Sequence, residues 1–198
     1  MNHLAHAYLS FRQPGLLTGN LIADFVKGHK HLSAFPADIQ QGIRLHRAID
    51  TFTDQHPVTG KAKLFFRPSC GLYSGVFTDI VYDHFLASDT SRFSNDDLYS
   101  FAHYVYSEIN RQAAILPPSF LQMFDHMQTY NWLYNYHTTD GISRAIRGVA
   151  RRAKYLQADG NMVFAVFMEH YNALKMCYEE FFPALQAHAE NWLQMENR

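Results

Sequence analysis

Apolar residues recur along the chain at intervals of three and four, the period of an α-helix and one that the two-residue alternation of a strand does not give. After Pro36, the residues Ile39, Ile43, Leu45, His46 and Ile49 draw one stripe. Asp79, Tyr82, Asp83 and Leu86 draw a second. Asp97, Phe101, Tyr104, Val105 and Ile109 draw a third, behind a Ser94-Asn95-Asp96 run suited to a helix start. From Met162 to Leu193 the same period continues, and Pro183 within it predicts a kink or a split. Only the aromatic-rich stretch from Tyr130 to Tyr136 has any strand character, and it is weak. Breakers at Pro14-Gly15, Gly28, Pro36, Pro57, Pro68, Pro117-Pro118, Gly141 and Gly160 separate the segments. The pattern predicts an all-α fold, a compact multi-helix bundle, as a single domain over 1–198.

Composition narrows the partners. Hydrophobic residues make up 47% and charged residues 18%, a globular balance, and the net charge of -1 offers no overall field for nucleic acid or a membrane surface. The most apolar run, Met162 to Met168, is too short to span a bilayer. Cys70 and Cys177 are the only cysteines and lie far apart, which favours a reducing compartment. The opening residues carry His3 and His6 where a secretory signal needs an apolar run, so the expected location is the cytoplasm. The 12 histidines change the picture most, because several lie near aspartates and such pairs suit divalent metals.

Four constellations could carry chemistry. His46 and Asp50 stand four apart, so a helix puts both on one face, and Arg47 beside them adds a planar fork suited to phosphate. Asp79 and Asp83 repeat that spacing within an apolar helix, where ionised carboxylates are costly unless paired or metal-bound, and His84 follows directly. The bland alternative has Asp79 exposed and Asp83 hydrogen-bonded to a neighbouring helix. Asp24 lies among Leu21, Ile22, Ala23, Phe25 and Val26, which predicts partial burial, and Gly19-Asn20 nearby would let backbone approach a ligand. His6 is the fourth, and on its own a helical histidine is more often a core residue than a ligand.

A basic stripe stands apart from these. Arg144, Arg147 and Arg151 fall on one helical face, opposite Ile146, Val149 and Ala150, and with Arg152 and Lys154 they make five of the 17 positive residues. Either it is a solvated face or it steers an acidic partner. The chain has no Glu-x-x-His, no His-Glu-x-x-His, no Gly-x-Ser-x-Gly and no phosphate-cradling Gly-rich loop, which leaves metal-assisted hydrolysis as the best-supported chemistry.

Taken together, the segments Asn2-x-Leu4-Ala5-His6, Gly19-Asn20-Leu21-x-Ala23-Asp24-Phe25-Val26-x-Gly28, Gly42-Ile43-x-x-His46-Arg47-x-Ile49-Asp50-x-x-Thr53-Asp54 and Asp79-x-x-x-Asp83-His84-Phe85-Leu86 resemble the acyl carrier protein phosphodiesterases. The likeness spans the chain, with the specific motifs in its first 90 residues. It implies a helical, HD-phosphohydrolase-like, manganese-dependent enzyme that hydrolyses the phosphodiester between 4'-phosphopantetheine and a serine of holo-acyl carrier protein. It also implies metal ligands from Asp24, His46, Asp83, His84 and His6, a water-directing role for Asp50 or Asp79, and a phosphate contact from Arg47. Position 3 is usually aromatic in that family, so His3 is not counted as a ligand. The acidity of acyl carrier proteins would give Arg144, Arg147, Arg151 and Arg152 a docking role. Two other readings use the same residues: a metal phosphohydrolase for nucleotides, and a non-catalytic module that binds carrier protein.

Overall fold

A computed structural model describes residues 1–28 and 32–196. Among them are helices and no strand. In chain order the α-helices are α1 (His3–Tyr8), α2 (Pro14–Ile22), α3 (Ala37–Gln55), α4 (Pro57–Cys70), α5 (Ser74–Ala87), α6 (Asn95–Arg111), α7 (Pro118–Thr129), α8 (Trp132–Asn135), α9 (Thr139–Arg152), α10 (Gly160–Glu169) and α11 (Tyr171–Glu196). The buried apolar residues form one continuous core running from Met1 to Leu193, with Tyr82, Phe66, Phe77, Phe181 and Phe182 among its fully buried side chains. No helix of the described residues is long and apolar enough to cross a membrane.

The local signals explain most boundaries. Pro14, Pro57 and Pro118 open α2, α4 and α7, where a missing N–H costs nothing. Ser94 caps α6, and Asp97 reaches back to the Ser94 backbone, so both orphan donors are met. Thr138 and Asp159 cap α9 and α10. The tail breaks at His170 and not at Pro183, which lies inside α11. There Phe181, Phe182 and Leu185 are fully buried, and that packing holds the helix together across the lost hydrogen bond. The stretch from Tyr130 to Tyr136 contains no strand: Asn131 adopts a left-handed conformation (φ 44°) and α8 follows it.

The most intimate helix pair is α2 against α3, and two glycines make it possible. A Cβ on Gly19 would stand 2.0 Å from the Ile39 carbonyl oxygen, and one on Gly42 would stand 2.4 Å from that of Leu16. Gly19 therefore serves an approach between two helices, not the approach of backbone to a ligand that its neighbourhood suggested. This crossing brings Asn20 of α2 beside His46 of α3.

Gly42→Ala should destabilise the fold by about 3 kcal/mol, the upper end for overpacking, because both colliding groups are backbone. Gly60→Ala is the control: nothing lies within 4 Å of a Cβ there, and it should gain about 0.5–1 kcal/mol. Denaturant unfolding of the two variants measures both.

Candidate metal and catalytic centre

Two imidazoles from different helices meet at one residue. The Asn20 side-chain oxygen lies 2.7 Å from Nδ1 of His6, and the Asn20 backbone oxygen lies 2.8 Å from Nδ1 of His46. The Asn20 amide is itself fixed, since its Nδ2 donates to the His6 carbonyl at 2.8 Å and to Ser10 Oγ at 3.1 Å. Both Nδ1 atoms therefore face acceptors and carry the proton, which leaves each Nε2 as a lone pair. The rings stack at 4.0 Å and 16°, so both lone pairs are directed to one side.

What they meet there is carboxylate. Asp50 Oδ1 lies 3.2 Å from His6 Nε2, Asp50 Oδ2 lies 3.1 Å from His46 Nε2, and Asp24 Oδ1 lies 3.3 Å from His46 Nε2. These are short distances without hydrogen-bond geometry: both Nε2 atoms are buried and have no hydrogen-bond partner. Lone pairs set against carboxylate oxygens call for positive charge between them. A proton on His46 supplies it in the metal-free protein. Burial pulls that imidazole down, but Asp24 and Asp50 outweigh burial and hold it up at about 9. His6 goes the other way, to about 4, through burial and the neighbouring His46. Burial pushes Asp50 up, yet His46 and His6 more than reverse this and hold its carboxyl well below the usual range. His6, His46 and Asp50 form a group whose ligand atoms all lie within 4.8 Å of one another, close enough to hold one metal ion.

Asp79 and Asp83 stand next to this group in different roles. The Met1 α-ammonium is buried between Asp50 at 3.2 Å and Asp79 at 3.3 Å. Burial raises the Asp79 pKa, against the pull of that ammonium, and Asp50 raises it further. Asp83 is wholly buried and accepts from the backbone N–H of Leu4 at 2.7 Å and of Ala5 at 3.0 Å. It thus caps α1, which has no side-chain cap of its own. Burial pushes its carboxyl up to about 7, with those two donors opposing.

The family model for acyl carrier protein phosphodiesterase matches residues 1–185. The chain belongs to the acyl carrier protein phosphodiesterase family. It is 33% identical over 192 residues to a relative of that name from Enterobacter sp. strain 638, covering 96% of this chain and 98% of the relative. It is also 33% identical over 192 residues to one from Escherichia coli O139:H28, with the same shares covered. To one from Salmonella paratyphi A it is 32% identical over 190 residues, covering 96% of this chain and 97% of the relative. No solved structure matches. By its family the chain is a phosphoric diester hydrolase.

Within this family member, the structure gathers His6, Asp24, His46 and Asp50 and places Asp79 alongside. Asp24 is exposed rather than partly buried, because Ala23–Phe25 form a tight 3-10 turn beyond α2 that swings it off the apolar face. Asp83 follows the bland alternative, hydrogen-bonded to the neighbouring α1. His84 lies outside the group: its Nδ1 meets the Tyr136 carbonyl at 2.7 Å and its Nε2 meets the Tyr171 hydroxyl at 3.0 Å. Arg47 is exposed on α3. Arg144, Arg147, Arg151 and Arg152 are exposed on α9, with Arg144 paired to Asp140. Sequence reasoning missed the role of Asn20. The signal was present, since an amide between Thr18-Gly19 and Leu21-Ile22 is buried with apolar neighbours and must find partners.

Asn20→Ala frees the His6 imidazole and leaves the backbone carbonyl that holds His46, and the affinity for a divalent metal should fall about 10–100-fold in a calorimetric titration of the folded variant. Asp83→Asn tests the cap. Asp83 is held above its ordinary value of 3.8, so its contribution is complete below that pH and is lost as the pH rises toward 7. In metal-free protein the variant should lose about 2 kcal/mol at low pH, and the loss should shrink and then reverse between about pH 4 and pH 7 in denaturant unfolding, because a shift of this size is linked to about 4 kcal/mol.

Proposed function

We propose that this protein is a divalent-metal-dependent phosphodiesterase that removes 4'-phosphopantetheine from holo-acyl carrier protein and releases the apo-carrier. The observation that supports it best is the pair of buried, unpartnered Nε2 atoms of His6 and His46 facing Asp50. That donor set of imidazole and carboxylate fits a divalent ion such as manganese, which His6, His46 and Asp50 would hold and exposed Asp24 would help to hold. When bound, such an ion neutralises charge on a phosphoryl oxygen and makes a water molecule more acidic.

The chain's own groups carry the remaining work. Asn20 holds both imidazoles in the tautomer that leaves Nε2 available. Asp79, raised by burial and by Asp50, is suited to take the proton of the attacking water. Arg47, one residue past His46 and exposed, would meet a non-bridging phosphate oxygen. The water oxygen forms a new bond to phosphorus, the bond from phosphorus to the serine oxygen breaks, and the serine oxygen takes a proton from solvent while Asp79 returns to solvent the proton it took from the water. Phosphate stays on the pantetheine. Asp83 sets the height of α1 and so the position of His6, and His84 anchors α5 to Tyr136 and Tyr171; both act on the architecture in this reading. Nothing in the site favours a nucleotide over a carrier-bound diester.

Intact-mass analysis of holo-acyl carrier protein incubated with the enzyme and manganese is the test. Loss of the prosthetic arm is expected, with a chelator stopping it and His46→Ala lowering the rate at least about 100-fold. A carrier mass that stays unchanged across several divalent metals would refute the reading.

A further inference from the structure

The chain leaves an apolar ridge in solvent at the edge of this site. Leu72 is 100% exposed, in the Gly71–Tyr73 turn between α4 and α5, where Gly71 takes a positive φ of 52°. Val76, four residues on, is 43% exposed, and Tyr155, just past α9, is 78% exposed. These are one surface: the Tyr155 backbone N–H donates to the Tyr73 hydroxyl at 3.4 Å, which joins the end of α9 to the turn that carries Leu72. Single exposed apolar residues are ordinary, whereas several joined at one junction mark an interaction site.

Two features say what covers it. The first is charge. Arg151, Arg152 and Lys154 surround Tyr155, all are exposed, and among the described residues none of them is in an ion pair. Lys154 lies over the Tyr155 ring at 5.5 Å. An apolar ridge with unpaired cations fits an acidic protein surface that has its own apolar stripe. The second is position. Val76 is three residues before Asp79 on the same stripe of α5, so the ridge runs toward the carboxylates of the site. From the other flank, Arg152 acts electrostatically on His3, which also feels Asp24 and His46.

We propose that Leu72, Val76 and Tyr155, ringed by Arg151, Arg152 and Lys154, are the docking surface for the acidic carrier protein, which they seat with its arm-bearing serine over the metal centre. This rests on the function proposed above. It moves the centre of recognition from the Arg144 end of α9, where Asp140 occupies the guanidinium, to the Arg152 end beside the site.

Leu72→Glu is the decisive variant, because a fully exposed side chain can be replaced without disturbing the core; Arg151→Glu accompanies it. Each is assayed on holo-acyl carrier protein and on bis(p-nitrophenyl) phosphate, a diester that needs no docking. The proposal expects KM for the carrier to rise about tenfold or more while turnover of the small diester is unchanged. A carrier KM within about twofold of wild type for both variants would overturn the docking surface and leave the phosphodiesterase reading standing. Equal losses on both substrates would overturn it too, since the residues would then act on the site itself. Wild-type enzyme that cleaves the small diester and leaves the carrier intact would overturn the function and the docking surface together.

Discussion

A single asparagine sets the geometry on which this molecule's chemistry depends. Asn20 presents its side-chain oxygen to one imidazole and its backbone oxygen to another, and so holds His6 of α1 and His46 of α3 by the same ring atom. Nε2 of each ring is left to face Asp50. An amide can do this only if its own orientation is locked, and the His6 carbonyl, which can only accept, locks it by drawing Nδ2. Imidazole ligands oriented by a hydrogen bond at the far nitrogen are the usual construction of a metal site.

The glycines between α2 and α3 are part of the same device. Gly19 precedes Asn20, and Gly42 is four residues before His46, so the close crossing lies one helical turn from the two groups it brings together. A looser crossing would move the Asn20 carbonyl out of reach of His46. Asp83 performs the corresponding service for α1, a six-residue helix too short to be stable alone. Its carboxylate takes two N–H groups from the first turn of α1, four residues or fewer from His6. The buried acid is costly, and the return is a fixed position for the histidine.

Charge around the centre is ordered with similar economy. Three carboxylates, Asp24, Asp50 and Asp79, and the buried Asp83 converge on a small volume. The Met1 ammonium and the His46 proton offset part of that charge in the metal-free protein. His6 stays neutral, and Asp50 stays ionised between two imidazoles. A site with this surplus of negative charge favours a cation and would repel a phosphodiester without one.

Much of this was legible in the residues. Helical period gave α3, α5 and α6, the Ser94 start marked the cap of α6, and four-residue spacing paired His46 with Asp50. Apolar surroundings singled out Asp24, and the motif resemblance strengthened it and His6 as ligands. Asp83 and His84 had equal claims by pattern, because sequence spacing reports which side chains share a face of one helix. It carries nothing about what packs against that face. Only the tertiary structure set Asp83 under the amino end of α1, turned His84 to Tyr136 and Tyr171, and brought Asn20 between two rings that lie 40 residues apart in the chain. Local sequence determines helices because their hydrogen bonds close within one turn; a metal site is made of contacts between helices, and those are decided by how the cores fit.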